Sequence, residues 1–261
     1  MEEKLLQMKS LVERLNQASD SYYNGKGELM TDYEWDALFD QLKRLEEETG
    51  EILPDSPTNR VSEDSIVGKK EEHEFAALSL AKTKQVSDLV KWAEDRPIWI
   101  SWKLDGLTLV VTYDGGKLTK IVTRGNGHIG TNITHLAPAI SGIPGTISEK
   151  GHLVVRGEAV ISYTDFEQFI IESEGDYANP RNLASGSLTL KDIDEVKQRH
   201  IQWIPFTLVY TERELTSWGE RMQMLKDLGM NPVERERIDH PTTENIQLEI
   251  DKFTEKVTSK K

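Results

Sequence analysis

The residues of this chain that could carry out covalent chemistry lie around one lysine. Lys103 is followed by Asp105 and Gly106 at the end of a strand-like stretch. A lysine amine attacks phosphorus only when it is unprotonated, and nearby groups must orient it. Asp105 could orient Lys103, and Gly106 would let backbone or phosphate come close. The same residues could instead be a solvated strand end, because a four-residue pattern recurs by chance.

Three later motifs contain groups that bind phosphate or sugar. Arg124 lies in the glycine-rich run Thr-Arg-Gly-Asn-Gly-His-Ile-Gly, residues 123–130; Glu158 ends the motif Arg-Gly-Glu; and Arg181 lies in Asn-Pro-Arg-Asn. The arginines could clamp phosphate, and the glutamate could bind a ribose hydroxyl or a metal. Taken singly, the motifs could also be a glycine-rich turn, a strand-end salt bridge and a tight loop. All four motifs together, in this order, are much less easily explained by chance.

The first part of the chain is predicted to be helical. Apolar residues recur every three to four positions over residues 5–15 and again over residues 35–45, which is the pattern of amphipathic helices. Thr31 and Glu34 have the spacing of a capping box, so the second helix should begin near Asp32.

The second part of the chain alternates strand patterns with short helix patterns. Asp114, Gly115 and Gly116 are predicted to join two strands as a hairpin. Consecutive hairpins without a regular strand–helix alternation favour an α+β fold built on antiparallel sheet. Strands are predicted at residues 98–102, 107–113, 117–123, 152–162 and 202–210, and helices at residues 86–93, 163–173, 217–228 and 244–257.

Composition and charge predict two domains and narrow the class of protein to which the chain can belong. Residues 63–74 are polar and charged, which predicts a linker between a helical domain at residues 1–68 and a sheet domain at residues 69–261. No apolar run approaches the roughly 20 residues that cross a bilayer, and no signal-peptide pattern is present, so a cytoplasmic protein is expected. The chain has no cysteine, and its six histidines lack metal-ligand spacing. A net charge of −13 argues against binding nucleic acid unaided.

The motifs, taken in order, resemble those of the bacterial NAD-dependent DNA ligases. The resemblance runs from about residue 22 to about residue 210, and covers the family's helical NAD-binding domain and most of its nucleotidyltransferase domain. It is carried by the pair Tyr22-Tyr23, the run Asp32-Tyr-Glu-Trp-Asp36, the turn at residues 54–58, the segment Leu78-Ser-Leu80, and the four motifs that contain Lys103, Arg124, Glu158 and Arg181.

The resemblance implies a reaction and a set of residues for it. Lys103 would attack the α-phosphorus of NAD and keep AMP as a phosphoramidate while nicotinamide mononucleotide leaves, with Asp105 as the second catalytic residue. Mg²⁺ and Arg124 would offset phosphate charge, and no residue is assigned as a metal ligand. The residues expected to bind NAD are Tyr22, Tyr23, Asp32, Tyr33, Glu34, Trp35 and Asp36 in the helical part, and Ser79, Leu80, Ser101, Arg124, Glu158 and Arg181 in the sheet part. Core packing is an equal alternative for Trp35.

Several positions depart from the family pattern. Ser101 stands where the family has a glutamate that helps to read adenine, which puts adenine selectivity in doubt. The later family strands with phosphate-binding lysines do not occur before Lys261, so we expect an N-terminal fragment that adenylates itself weakly and seals nicks little or not at all. Nicked DNA is expected to bind only with additional C-terminal domains, and a monomer is expected. The alternatives are a non-catalytic NAD-binding module and, ranked lowest, an ATP-dependent nucleotidyltransferase.

Overall fold

The computed structural model of the chain describes residues 2–23, 29–30, 32–53, 56–58, 68–78, 81, 83–173, 177, 179–190 and 192–258. Helices and antiparallel sheets combine in it, so the predicted α+β class is confirmed. The helices are α1 (Glu2–Tyr23), α2 (Asp32–Thr49), α3 (Val86–Ala93), α4 (Tyr163–Ser173), α5 (Pro180–Ser187), α6 (Ile193–Lys197), α7 (Trp218–Asp227) and α8 (Thr243–Thr258). The strands are β1 (Lys70–Glu72), β2 (Ile98–Ser101), β3 (Leu107–Asp114), β4 (Lys117–Thr123), β5 (Ile129–Thr131), β6 (Leu153–Val160), β7 (Gln202–Thr211) and β8 (Arg235–Ile238).

Helices α1 and α2 pack against each other through the two predicted apolar stripes. Their shared cluster of buried side chains is formed by Met8, Leu11, Val12, Leu15, Leu42 and Leu45. Helix α2 begins at Asp32, as predicted, whereas Thr31 of the expected capping box lies outside the described residues. Buried Glu46 accepts hydrogen bonds from the hydroxyls of Ser56 and Thr58, at 2.6 and 2.9 Å, which attaches the segment after α2 to this helix.

A four-stranded antiparallel sheet with the order β4-β3-β6-β7 forms the centre of the second part. The predicted hairpin at residues 114–116 joins β3 to β4. On β3 and β6, alternate residues enter the main hydrophobic core on one face of the sheet, and the fully buried Trp203 of β7 packs there with them. This alternation is the expected result of the two-residue period of strands.

The opposite face of this sheet is crossed by residues 73–78, called the strap below. Its apolar side chains Phe75 and Ala77 pack on Val110 of β3 and Val154 of β6. The guanidinium of Arg156 donates hydrogen bonds to the carbonyls of Phe75 and Ala76, at 3.2 and 2.7 Å. The strap is therefore fixed both by apolar contact and by backbone hydrogen bonds.

A second, two-stranded sheet pairs β2 with β8. The helices α3 and α8 contact each other, and α8 also contacts β8. This small sheet is joined to the main sheet by residues 102–106, between β2 and β3, and by a hydrogen bond from the Val233 amide to the Pro205 carbonyl, at 2.8 Å. No helix within the described ranges is both long and apolar enough to cross a membrane.

The predicted linker was wrong in part, and one motif has a structure that the sequence did not indicate. The predicted linker at residues 63–74 contains β1, which pairs with β5 beyond the glycine-rich run, because backbone pairing does not need apolar side chains. The tight loop that was left open as an alternative around Arg181 is instead the helix α5, whose side chains are mostly small and give no clear apolar period. Sequence reasoning also did not identify β5, β8, α6 or the 3₁₀ helix Thr134–Ala139, all of which are short.

Candidate active site

Lys103 lies in the crossing segment between the two sheets, three residues before Gly106 and one residue after Trp102. Its side chain is exposed, and its ammonium forms no salt bridge with any residue in the described part of the chain. The segment is held at its far end, because the Gly106 amide donates a hydrogen bond to Glu158 Oε1 at 3.1 Å. Lys103 is therefore a solvent-accessible amine on a segment with a fixed end.

Glu158 is the polar centre of the site. Besides the Gly106 amide, its carboxylate accepts a hydrogen bond from the Thr108 hydroxyl, at 2.8 Å to Oε2. Burial raises the pKa of Glu158 above its ordinary value, and the two hydrogen bonds and the nearby charges of Arg181 and Lys103 oppose that rise. Each carboxylate oxygen retains acceptor capacity beyond these two bonds, so the carboxylate can still accept from a hydroxyl of a ligand.

Asp105 and Arg181 form an ion pair across the site. Arg181 Nη1 lies 2.9 Å from Asp105 Oδ1, and about half of each side chain is exposed. Arg181 is held at the start of α5, where the Asn179 side chain caps the helix by accepting from the Asn182 amide and Pro180 occupies the first turn. Two other predicted residues, Lys103 and Arg181, lie close enough to Glu158 to interact with its carboxylate electrostatically.

A glycine is required at position 106 because the backbone of β6 comes very close to it. A Cβ atom at this position would lie 2.1 Å from the carbonyl oxygen of Ala159 on β6, far inside any normal contact distance. Leu107 pairs with Ala159 in the sheet, so the chain must enter β3 against that strand. Any side chain here would push the crossing segment away from Glu158.

Arg124 lies in the same cross-strand row as Thr108 and Glu158. Thr108 is opposite Glu158 in the β3–β6 ladder, and the Arg124 amide donates to the Thr108 carbonyl at 3.0 Å. Residues that are opposite each other in a sheet share a face, so Arg124 lies on the same face of the sheet as Glu158. Its side chain is half-buried and has no ion pair among the residues that the structure describes.

The glycine-rich run after Arg124 is a tight turn. The Asn126 side chain accepts hydrogen bonds from the amides of His128 and Ile129, each at 2.9 Å. Gly125 has a positive φ of 55°, and a Cβ there would lie 1.9 Å from the Ile129 carbonyl oxygen. The turn itself explains these glycines. This is the alternative that the sequence left open for the run, a glycine-rich turn.

The other predicted NAD-binding residues have no described contact with Lys103 or Glu158, or belong to segments whose side chains the structure does not describe. Ser101 is half-buried at the end of β2, opposite Arg235 of β8. Trp35 stacks on Phe39 with ring centroids 4.8 Å apart and donates its indole N–H to the Leu15 carbonyl at 3.3 Å, which is the core-packing alternative. Glu34 is exposed on α2. Ser79 and Leu80 lie outside the described residues, and for Tyr22, Tyr23, Asp32, Tyr33 and Asp36 only the backbone is described.

Sequence reasoning missed Thr108 and the strap residue His73. The Thr108 hydroxyl binds Glu158, and His73 Nε2 lies 3.0 Å from the carbonyl oxygen of Arg124. Thr108 is one of the positions on β3 that alternate away from the core, so the strand period could have placed it on the face of Glu158. His73 had no such signal, because its partner lies 51 residues away.

The acidic side chains near Lys103 fit a magnesium ion only in part. No group of three or more His, Asp or Glu residues is arranged to hold a metal ion in the described portion of the chain. Glu158 and Asp105 are the carboxylates of the site, and Asp105 is paired with Arg181. This fits Mg²⁺ bound through one or two carboxylates and substrate phosphates, its common mode, and does not fit a closed protein cage.

Two family models match the chain. The model described as the NAD-dependent DNA ligase adenylation domain matches residues 69–260, and the model described as the DNA ligase-like N-terminal NAD⁺-binding domain matches residues 1–62. The first of these covers well over half of the chain and includes Lys103, Glu158 and Arg181.

Curated proteins named DNA ligase are similar over most of the chain. The protein from Lachnoclostridium phytofermentans is 40% identical over 252 residues, which are 94% of this chain and 38% of that protein. The protein from Ruminiclostridium cellulolyticum is 38% identical over 263 residues, which are 98% of this chain and 40% of that protein. The chain therefore spans about two fifths of the length of these relatives.

Proposed function

Because this chain belongs to the NAD-dependent DNA ligase family, we propose that it is the adenylation region of such a ligase and that Lys103 receives AMP from NAD. The observation that carries the proposal is the arrangement around the crossing segment. The half-buried Glu158 carboxylate interacts electrostatically with two exposed cations, Lys103 and Arg181, and Arg181 is also paired with Asp105. Transfer of a nucleotide to the protein uses a nucleophile for the phosphorus, a cation for the phosphate and an acceptor for a ribose hydroxyl.

The proposed reaction forms one bond and breaks one bond at the α-phosphorus of NAD. The Lys103 amine, after losing a proton to water, forms the nitrogen–phosphorus bond as the bond to nicotinamide mononucleotide breaks. The second proton leaves the nitrogen afterwards, and AMP remains as a phosphoramidate. Such phosphoryl transfers depend mainly on positioning and on stabilisation of phosphate charge. A bound Mg²⁺ would supply part of that stabilisation.

The protein's own residues have separate roles in this proposal. Arg181 would exchange part of its interaction with Asp105 for the phosphate, and Arg124 would face the same group from the neighbouring strand. Glu158 would accept from a ribose hydroxyl while the Gly106 amide and the Thr108 hydroxyl hold it in place. Asp105 would orient the crossing segment through Arg181.

The helical part is proposed to hold the nicotinamide half of NAD. We place this domain at residues 1–68 and the adenylation domain at residues 69–261. Support comes from the separate family description of an NAD⁺-binding domain over residues 1–62. Tyr22, Tyr23, Asp32, Tyr33 and Asp36 would be its ligand contacts, with Glu34 and Trp35 beside them on α2. Ser79, Leu80 and Ser101 would contact the adenosine half.

The partners of the chain follow from the same proposal. Nick sealing and contact with nicked DNA are proposed to need protein segments beyond those in this chain, because its net charge of −13 opposes phosphate binding. We propose a monomer that acts in the cytoplasm.

Intact-protein mass after incubation with NAD and Mg²⁺ tests the function. An AMP-sized increase with NAD, absent with ATP and absent from Lys103→Ala, is the expected result. Lys117→Ala is the matched control, because Lys117 is another exposed lysine, at the start of β4, and should adenylate normally. Measurable NAD binding without any covalent product would favour a non-catalytic NAD-binding module, and labelling by ATP alone would favour an ATP-dependent enzyme.

A further inference from the structure

The side chain directly before Lys103 is fixed by residues that are distant in sequence. Trp102 donates its indole N–H to Glu234 Oε2 at 2.8 Å, across a separation of 132 residues. Its ring also packs edge-on against Phe253 of α8, with ring centroids 4.7 Å apart and an interplanar angle of 67°. Phe253 is itself only 6% exposed, so this contact lies against the packed inner side of the helix.

The β2–β8 ladder explains why these residues meet. Ser101 is opposite Arg235 in this antiparallel ladder, so the residue after Ser101, which is Trp102, comes beside the residue before Arg235, which is Glu234. Glu234 also forms an ion pair with Lys256 of α8, whose ammonium lies 5.1 Å from the centre of the Phe253 ring. Trp102, Glu234 and Phe253, called the tryptophan anchor below, thus form one connected group with Lys256.

The small sheet that carries this anchor is itself attached to the main core. The Trp99 ring of β2 packs against Trp218 of α7, with ring centroids 5.9 Å apart. A Cβ on Gly219 would lie 2.4 Å from the Trp99 ring, which shows how closely α7 approaches it. The tryptophan anchor therefore rests on a fixed support.

We propose that Trp102 is a positioning residue for adenylation and that the tryptophan anchor fixes the entry side of the Lys103 segment. This inference rests on the proposed function. The exit side is already fixed by the Gly106–Glu158 and Asp105–Arg181 contacts, so Lys103 lies between two attachments. A nucleophile held from both sides keeps the geometry that attack on phosphorus demands, and a displacement of about 1 Å can cost about 100-fold in rate.

The activity test compares variants by single-turnover adenylation at several NAD concentrations. Trp102→Ala should lower the rate at saturating NAD about tenfold or more, with the KM for NAD changed less than about twofold. Glu234→Ala should lower the rate about fivefold, the factor that corresponds to one ordinary hydrogen bond. Glu234→Gln keeps an acceptor oxygen for the indole N–H and should restore most of the rate. Trp92→Ala is the control, because Trp92 on α3 is 67% exposed.

Hydrogen exchange provides a readout that does not depend on activity. The Gly106 amide, which donates to Glu158, should exchange about tenfold faster in Trp102→Ala than in the native chain, and at the native rate in Trp92→Ala. This factor corresponds to about 1.4 kcal/mol by the usual conversion. A purely structural role would speed exchange throughout the β2–β8 sheet and would not separate Glu234→Gln from Glu234→Ala.

The outcomes separate the two proposals. If the native chain adenylates and Trp102→Ala has the same adenylation rate and the same exchange rate, the role of the tryptophan anchor is overturned. The proposed function then stays intact. If the native chain does not react with NAD, the proposed function fails, and the exchange rate of the Gly106 amide still decides whether the anchor fixes the segment.

Discussion

At the scale of single residues, the Asp105–Arg181 ion pair is expected to contribute little to stability and, under the proposed function, much to activity. Both side chains are about half exposed, and pairs of this kind typically contribute less than about 1 kcal/mol to stability. The proposed reaction places a phosphate where Arg181 can contact it. The charge of Arg181 would then act on the substrate more than on the fold.

Arg181→Ala is therefore expected to separate stability from activity. The free energy of unfolding should change by less than about 1 kcal/mol, since an exposed pair is lost. The rate of adenylation should fall about 100-fold, as it does when a charged group that stabilises phosphate is removed. Chemical denaturation and intact-protein mass measure the two effects. Arg237→Ala is the control, since Arg237 of β8 forms a comparable exposed pair with Asp239. A large loss of stability with normal adenylation would contradict the assignment.

The residues of the candidate site could be proposed from sequence because each lies in a short motif with a distinctive composition. Lys103, Glu158 and Arg181 were predicted as one site, and the structure brings them together. The motif around Arg124 was only partly interpretable, because glycines that allow a tight turn and glycines that hold phosphate look alike in sequence. Thr108 acts through a hydroxyl on a strand, and no motif contains it.

At the scale of elements, the strap is the clearest case of long-range contacts that no local pattern predicts. Residues 73–78 are mostly polar or small and were assigned in part to a linker. They are held by Arg156, by the Gly127 carbonyl that accepts from the Ala77 amide at 2.7 Å, and by His152. Helix α5 is a similar case, because its helical state depends on the Asn179 cap and on buried Leu183 and Ala184 more than on periodicity.

His152 joins the strap to the β3–β4 hairpin through two carboxylates. Its Nδ1 lies 2.6 Å from Asp114, and its Nε2 lies 2.8 Å from Glu74 of the strap. Both ring nitrogens can donate only when the ring is charged. The hydrogen bond to Asp114 and the contacts with Glu74 raise the pKa of His152 above 6.5, and His152 lowers the pKa of Asp114 below 3.8.

The strap should therefore be held most strongly in mildly acidic solution. The contribution of His152 is complete below pH 6.5 and is lost as the pH rises through its raised pKa. The contribution of Asp114 is complete above pH 3.8 and is lost as the pH falls through its lowered pKa. His152→Gln should lower the free energy of unfolding by about 0.5–1 kcal/mol at pH 5.5 and by less at pH 8.5, given the partial exposure of the carboxylates.

Chemical denaturation at the two pH values measures this effect. His135→Gln is a suitable control, because the His135 side chain is exposed and has no hydrogen bond or ion pair with the residues that the structure describes. An equal loss of stability in His152→Gln at both pH values would show that the charge of His152 does not hold the strap.

At the scale of the whole molecule, the described residues form separate hydrophobic cores. The cluster of α1 and α2 shares no buried residue with the cluster of the main sheet. Sequence periodicity predicted the first of these cores almost completely, because it is built from two local stripes. The second depends on strands brought together from residues 107 to 211, and only the alternation within each strand was readable.

Separate cores should lose stability separately. Leu42→Ala and Leu109→Ala both remove a fully buried side chain, one from each core, and each should cost about 2–5 kcal/mol. Hydrogen exchange should be faster in α1 and α2 for Leu42→Ala and faster in β3 and β6 for Leu109→Ala. The other core should keep its native exchange rates in each variant. Faster exchange in both cores from either substitution would mean that the chain unfolds as a single cooperative unit.

The distance along the chain between Trp102 and its partners also has a consequence for the order of synthesis. A ribosome delivers the N-terminal residues first, so β3, β4, β6 and β7 emerge before Glu234 and Phe253. The four-stranded sheet can then close while the residue before Lys103 still has no partner. On a growing chain, the Lys103 segment would then be attached to the folded sheet at its Gly106 end only. Its second attachment, through Trp102, would form when β8 and α8 emerge.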